Sequence, residues 1–332
     1  MQKKSSEDST HMRTTIDPCS DKLHSIMKAI STVIVGKDET VQLVVLSLIS
    51  GGHVLIEDIP GVGKTSLVSA LSRAVSCRFQ RIQFTPDIMP SDITGFSIFN
   101  QKTGEFEFRP GAAMSNFVLA DEINRASPKA QASLLEVMEE RQITVDSHTY
   151  VLEEPFMVLA TQNPLDNVGT YPLPEAQIDR FQIRVSLGYP CLEEEMCIMA
   201  MKGNEKKELK AVATGADILE LKAAAADIQV QPPVVRYIAS MVAATRKHTS
   251  VLLGASPRGS IALYRMSQAL VLCEGRNYVI PDDVKYLAPS VLAHRLILTH
   301  EAKLAKLTQE EIVHDVITRT EVPVGGALRC PR

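Results

Sequence analysis

An apolar segment runs directly into a turn rich in glycine at Val54-Leu55-Ile56-Glu57-Asp58-Ile59-Pro60-Gly61-Val62-Gly63-Lys64-Thr65. The apolar start is typical of a buried strand, and the residues after Lys64 have helical spacing. Because Gly61 and Gly63 lack a Cβ atom, the turn can take positive φ angles and its backbone can approach phosphate oxygens closely. Strand, glycine turn and helix in this order are the structural context of a Walker A phosphate-binding loop.

The side chains of this loop suit a nucleoside triphosphate with Mg²⁺. Lys64 can reach the β- and γ-phosphates, and the Thr65 hydroxyl can ligate the metal. Asp58 stands where the motif usually has its first glycine, but the phosphate cradle begins only at residue 60. The sequence therefore predicts that the phosphates are held by Pro60, Gly61, Val62, Gly63, Lys64, Thr65 and Ser66.

A second apolar run ends in two acidic residues, Phe117-Val118-Leu119-Ala120-Asp121-Glu122. Ionised carboxylates are costly to bury unless they are paired or lie near a metal. Asp121 can hold the Mg²⁺ shell, and Glu122 can orient and polarise the water that attacks the γ-phosphorus. The alternative is a solvated strand end without a catalytic role. The phosphate loop earlier in the chain favours the catalytic interpretation.

A third apolar run, Phe156-Met157-Val158-Leu159-Ala160-Thr161-Gln162-Asn163-Pro164, ends in amides and a hydroxyl. In a parallel sheet with this strand beside the phosphate-loop strand, its carboxyl end would face the γ-phosphate, because open α/β sheets bind ligands at that edge. Asn163 could then position the attacking water. An Asn-Pro turn without a catalytic role is the alternative.

Two β-hairpins are predicted between these strands. Alternating residues 96–99 and 106–108 flank a polar turn that contains Gly104, and residues 142–152 repeat the pattern around Asp146-Ser147-His148. A protruding hairpin is a candidate working surface, or it only packs against a neighbouring subunit or loop.

The pattern changes near residue 190, after which segments read as helices and no strand is convincing. This shift indicates a second, all-α domain. In it, Ser256 is placed as an N-cap, Pro257 as the first helical residue and Arg258 in the first turn. A positive charge in the first turn is unfavourable with the helix dipole. The position of Arg258 is therefore better explained by an anion that it contacts than by stabilisation of the helix. A solvated arginine is the alternative.

Length and composition narrow the class of protein. A chain of 332 residues, 45% hydrophobic and 22% charged, can hold two domains, and its net charge of −4 argues against a nucleic-acid footprint over the whole surface. The six scattered cysteines suit a reducing cytosol, so we expect a cytoplasmic protein. No run of 18 apolar residues predicts a membrane span, and the polar residues 1–15 predict a disordered tail rather than a secretory signal.

Together these motifs resemble the MoxR family of AAA+ ATPases over about residues 20–322. Residues 56–65 resemble its Walker A motif, residues 119–126 its Walker B, residues 160–164 its sensor 1 and residues 254–258 its sensor 2. Residues 171–181 match a segment particular to the family. The two hairpins are similar to the helix-2 and pre-sensor-1 inserts of the wider clade.

The resemblance implies a P-loop NTPase AAA+ α/β core over residues 16–189 with a parallel sheet of order 5-1-4-3-2, an all-α lid over residues 190–322 and a C-terminal tail over residues 323–332. It implies a homo-hexameric ring with ATP between subunits. Arg180 would be the finger contributed to the neighbour's γ-phosphate, and Arg258 the phosphate sensor of the lid, in either its own or the neighbouring subunit. The residues that the resemblance places near adenine are Val35 and Gly36. It also implies Arg125 as a second candidate arginine at the boundary between subunits.

The resemblance further implies an ATP-hydrolysing, chaperone-like remodeller that assists maturation or metal or cofactor insertion in client proteins, with a partner that carries a von Willebrand factor A domain. A nucleic-acid motor is the first alternative. It would need basic hairpins, whereas Lys102 faces Glu105 and Glu107 in the first hairpin, and His148 faces Asp146 in the second. A nucleotide-gated scaffold without catalysis is the second alternative, and Lys64, Asp121 and Glu122 disfavour it.

Overall fold

The structure is a computed structural model, and it describes residues 3–163, 169–203 and 209–323. Pro164 of the sensor 1 segment, residues 1–2 of the expected N-terminal tail and all but Pro323 of the expected C-terminal tail lie outside the described residues.

The elements in chain order alternate between strands and helices up to residue 185 and are almost all helical afterwards. They are α1 (Lys3–Ser31), α2 (Asp38–Ile49), β1 (Val54–Glu57), α3 (Lys64–Ala74), β2 (Phe79–Gln83), α4 (Pro90–Thr94), β3 (Gly95–Asn100), β4 (Glu105–Pro110), β5 (Phe117–Asp121), α5 (Pro128–Glu140), β6 (Gln142–Val145), β7 (His148–Val151), β8 (Met157–Gln162), α6 (Glu175–Ile178), β9 (Ile183–Val185), α7 (Leu192–Gly203), α8 (Gly215–Ala226), α9 (Pro232–Thr245), β10 (Val251–Leu253), α10 (Pro257–Cys273), α11 (Pro281–Leu292), β11 (Ile297–Leu298), α12 (His300–Leu304) and α13 (Gln309–Arg319), with 3-10 turns at Ile123–Arg125 and Ala293–Arg295.

The central sheet has five parallel strands in the order β2-β5-β8-β1-β9. Numbered among themselves in chain order, these strands read 5-1-4-3-2 from the opposite edge, so the fold class predicted from sequence is confirmed. The central strands β5 and β8 are almost fully buried because helices cover both faces of a parallel sheet. The carboxyl ends of β1, β5 and β8 therefore meet at one edge, where ligands bind in such sheets.

Both predicted hairpins are present and pack against each other. β3 pairs antiparallel with β4, and β6 with β7. The ring of Phe108 on the first hairpin stacks on Tyr150 of the second, with centroids 4.1 Å apart. Phe99 and Phe106 lie beyond this stack, are exposed, and contact each other at 5.4 Å between centroids. The hairpins thus form one aromatic surface.

The N-terminal helix differs from the expected tail. The sequence predicts disorder over residues 1–15, whereas α1 extends back to Lys3. Polar residues without apolar periodicity indicate no helix by themselves, but a helix already nucleated gains a hydrogen bond for each residue added. The packed part of α1 contacts α3 of the core and α8 and α10 of the second half, so one hydrophobic core spans both halves.

The helical lid is confirmed, with a local correction. The sequence indicates no strand after residue 190, but β10 and β11 form a short antiparallel ribbon that pairs Val251 with Leu298. The helix α12 is also additional. Strands of three and two residues are too short to show alternation, and their pairing spans more than 40 residues of chain. Within the described ranges, no helix is long and apolar enough to cross a bilayer.

Candidate nucleotide-binding site

The turn between β1 and α3 has the backbone that a phosphate loop requires. Gly61 and Gly63 have φ angles of +87° and +97°, in the region where a side chain would be strained. Gly63 is also the N-cap residue of α3 and supplies no capping side chain. The first N–H groups of a helix have no intrahelical acceptor, so this end of α3 favours an anion. The predicted residues 60–66 form this turn and the start of α3.

Lys64 lies over this turn. Its Nζ atom donates to the backbone oxygens of Asp58 at 3.0 Å and Ile59 at 2.9 Å. The ammonium group is therefore held at the mouth of the loop by carbonyl groups that phosphate oxygens can replace. Contact of this group with the β- and γ-phosphates stays a prediction.

Asp58, the departure from the usual motif, has a structural role that sequence reasoning missed. Its carboxylate is buried and accepts hydrogen bonds from the backbone N–H groups of Leu187 at 2.6 Å and Gly188 at 3.0 Å, and from the Ser186 hydroxyl at 3.3 Å. The other oxygen accepts from the N–H of Ile59 at 3.1 Å. The aspartate thus ties the phosphate loop to the segment that leads from β9 to the lid.

Asp121 ends β5 at the expected edge of the sheet. One carboxylate oxygen accepts from the Thr161 hydroxyl at 2.6 Å, and the other pairs with the guanidinium of Arg81 at 2.6 Å. A carboxylate from Asp121 and a hydroxyl from Thr65 are ligands that Mg²⁺ prefers, so the residues fit the predicted metal. Arg81 was not identified from sequence, because the residue pattern of β2 does not show that the Arg81 side chain reaches Asp121 on the neighbouring strand.

Glu122 adopts the left-handed conformation with φ 57° and ψ 49°. Such an angle is uncommon in a residue other than glycine and concentrates at functional sites. The backbone N–H donates to Thr161 Oγ1 at 2.8 Å, and the carboxylate accepts from Gln83 Nε2 at 3.1 Å and pairs with Arg125 Nε at 3.0 Å. Arg125, which the resemblance places at a subunit boundary, therefore lies against Glu122 of its own chain.

Asn163 is buried directly after β8, at the same edge as the phosphate loop. The neighbouring Gln162 donates to Glu57 at 2.6 Å, which joins the carboxyl ends of β8 and β1. The strand order therefore brings Asn163 to the side of the sheet that carries Lys64, as the sequence predicts.

The turn between α1 and α2 contains Val35 and Gly36. Gly36 has a φ angle of +72°, and a Cβ atom there would collide with the side chain of Glu194 on α7. Glu194 also pairs with Lys37 at 3.3 Å. The two residues predicted near adenine thus lie beside the first helix of the lid.

Arg180 and Arg258 lie at the opposite edge of the sheet. The N–H of Gln182 donates to the backbone oxygen of His53 at 2.8 Å, which places residue 180 just before the amino ends of β9 and β1. Both arginines line a cavity of about 310 Å³ together with Gly51 and Gly52, the residues that precede β1. The phosphate loop lies beyond the other end of β1, at least about 13 Å away given the rise of a four-residue strand.

A clamp between core and lid holds these two arginines side by side. Asp179 accepts a hydrogen bond from the hydroxyl of Ser256 at 2.7 Å and pairs with the buried guanidinium of Arg295. Ser256 also caps α10, accepting from the N–H of Arg258 at 3.0 Å. Since Asp179 precedes Arg180 in the chain, the clamp fixes both arginines relative to each other.

Comparison with known proteins agrees with this geometry. Residues 53–183 match the model of the ATPase family associated with various cellular activities (AAA), and residues 243–316 match the AAA lid domain. The chain is 49% identical over 304 residues to YeaC of Bacillus subtilis, covering 91% of this chain and 95% of that protein. It is 41% identical over 319 residues to Chaperone MoxR1 of Mycobacterium tuberculosis, covering 92% and 85%. A crystal structure from Cytophaga hutchinsonii, described as a possible ATPase, matches with a TM-score of 0.89 at 35% identity and covers 96% of this chain and 99% of that one.

Proposed function

Because this chain belongs to the MoxR family of AAA+ ATPases and is therefore an enzyme that hydrolyses ATP, we propose that it uses hydrolysis in a ring of identical subunits to remodel partner proteins. The observation that carries the proposal is the separation of Lys64 from Arg180 and Arg258 across the sheet. A site whose parts lie at opposite edges of one chain is completed when the loop edge of one copy meets the arginine edge of the next.

At the loop edge, the glycine turn and Lys64 bind the phosphates. The Thr65 hydroxyl and Asp121 would hold Mg²⁺, which neutralises phosphate charge when it is bound. Glu122 accepts a proton from the attacking water, and Asn163 orients that water. The pairing of Glu122 with Gln83 and Arg125 holds its carboxylate at the carboxyl edge of the sheet.

At the arginine edge, Arg180 and Arg258 both serve the nucleotide of the neighbouring copy. A trans arginine stabilises charge on the transferred phosphoryl group and is worth about 10³ to 10⁵ in turnover. Contacts of this head-to-tail kind close into a ring, and we propose six subunits.

Mixing two inactive variants tests this arrangement. Lys64→Ala removes nucleotide binding but keeps the arginines, and Arg180→Ala keeps the phosphate loop but lacks the finger. Each alone should have almost no turnover, whereas a mixture should recover part of it, because mixed rings pair an intact loop with an intact arginine. No recovery in mixtures that sedimentation shows to be co-assembled would overturn the trans assignment.

The proposed clients are polypeptides, and the aromatic surface of the two hairpins supports this. Phe99 and Phe106 are exposed on the hairpin, and Phe96 is exposed on its other face. Exposed apolar surface of this kind marks protein interaction sites. We propose that the clients are proteins under maturation or metal or cofactor insertion, and that a partner with a von Willebrand factor A domain assists.

The same hairpins give no support to a nucleic-acid motor. Arg109 lies 4.0 Å from Glu107, and Asn100 donates to Glu107, so the basic group is matched by acid. Binding of DNA that weakens steeply with salt would favour that alternative.

We propose a cytoplasmic location, which is supported by free thiols at each cysteine that the structure describes.

A further inference from the structure

One carboxylate, that of Glu139, contacts both arginines. Its Oε2 atom lies 3.1 Å from Arg180 Nη2, and its Oε1 atom accepts a hydrogen bond from Arg258 Nη2. Glu139 belongs to α5 of the core, Arg180 precedes β9, and Arg258 begins α10 of the lid. Three separate elements therefore converge on this group.

Helix electrostatics disfavour both Glu139 and Arg258 where they stand. Glu139 is in the last turn of α5, where the helix dipole presents partial negative charge, and Arg258 is in the first turn of α10, where it presents partial positive charge. Each charge is offset by the other across the contact. The dipoles of the two helices therefore do not account for the pair.

The contact leaves the arginines able to bind phosphate. A guanidinium has five N–H donors, and each arginine gives one nitrogen, Nη2, to Glu139. Each guanidinium also carries N–H groups on Nε and Nη1 that can donate to a second anion. Two guanidinium groups so close would repel each other without the carboxylate between them.

We propose that Glu139 is a positioning residue that holds Arg180 and Arg258 as a pair, ready for the γ-phosphate of the neighbouring copy. This inference rests on the proposed trans role of the arginines. The clamp through Asp179 fixes their backbones, and Glu139 fixes their side chains. Without Glu139 the two side chains separate, and the neighbour's nucleotide meets one arginine at a time.

Glu139→Gln tests the inference against Glu140→Gln, which removes the same charge from the same helix end. We expect Glu139→Gln to lower kcat roughly ten- to a hundredfold with KM for ATP nearly unchanged, because a misplaced group costs about this much. Glu140→Gln should keep the parent rate. Mixing Glu139→Gln with Lys64→Ala should restore turnover, since the neighbour then supplies an intact pair.

Modification by phenylglyoxal gives a readout without ATP. Loss of the carboxylate should raise the rates at Arg180 and Arg258 several-fold in Glu139→Gln, but not at Arg276, which pairs with Glu274 and Asp283 in the lid. The Glu139→Gln and Glu140→Gln variants could instead show equal turnover and equal modification rates while Arg180→Ala is inactive. That result would overturn the positioning role of Glu139 and leave the trans role of the arginines standing. An active Arg180→Ala variant would instead overturn the trans role itself.

Discussion

The carboxylate of Asp58 accepts a hydrogen bond from the backbone N–H of Leu187 at 2.6 Å. This contact joins the start of the phosphate loop to the segment between the last strand and the lid. A glycine at position 58 would match the usual motif but could not make the contact.

We therefore expect Asp58→Gly to destabilise the chain although it restores the usual motif. Removing the carboxylate leaves the buried N–H of Leu187 and the partly buried N–H of Gly188 without this acceptor, at a cost of about 2 to 3 kcal/mol in the free energy of unfolding. Urea denaturation measures it. Asp58→Asn, which keeps one acceptor oxygen, should lose less. A glycine variant as stable as the parent chain would show that these bonds contribute nothing.

Glu122→Gln should bind ATP like the parent chain but hydrolyse it at least about a hundredfold more slowly, because the amide cannot accept the proton of the attacking water. Equilibrium binding of a fluorescent ATP analogue and phosphate release measure the two properties. Glu105→Gln, on the exposed hairpin, is the control and should hydrolyse normally. Normal turnover in Glu122→Gln would remove this residue from the catalytic scheme.

Arg81→Gln should lower the Mg²⁺ concentration needed for half-maximal ATPase activity by about two- to tenfold. The guanidinium of Arg81 lies 2.6 Å from the carboxylate of Asp121, so it would compete with a metal for the same oxygen. Titrating Mg²⁺ at saturating ATP measures the shift. Arg78→Gln, whose side chain pairs with the exposed Glu153 and not with Asp121, is the control. A higher Mg²⁺ requirement in Arg81→Gln would contradict this competition.

The chain should lose stability in mild acid because of His53. Burial lowers the pKa of this imidazole from 6.5 to about 4, and its ring bonds Met138 O at 3.1 Å and the N–H of Val158 at 3.0 Å. The imidazole is neutral in the folded chain. Its contribution to the free energy of unfolding is therefore complete above pH 6.5 and is lost as the pH falls toward 4. The loss amounts to about 3 kcal/mol.

Urea denaturation of the parent chain and His53→Gln across this pH range tests the expectation. Glutamine keeps a donor and an acceptor but does not titrate, so the variant should show a flatter curve. Buried His294, whose pKa is also lowered by burial, should leave a residual slope. His300→Gln, an exposed change, is the control, and identical curves for the parent and His53→Gln would contradict the role of His53.

The sequence by itself determined the two hairpins and the loop edge of the site, and its resemblance to a known family supplied the strand order. Lys64, Asp121 and Asn163 each follow an apolar run, and parallel strands bring their carboxyl ends to one edge. Local pattern is sufficient there because each residue lies at or shortly after the carboxyl end of a strand.

Only the tertiary structure decided which residues from distant parts of the chain contact each other around the site. Asp58 meets Leu187 across 129 positions of chain, and Glu139 meets Arg258 across 119. The side of the sheet on which Arg258 lies was open from sequence, since it depends on how α10 docks on the core. Pairings between distant segments follow from how whole elements pack, and a short window of residues carries no signal for them.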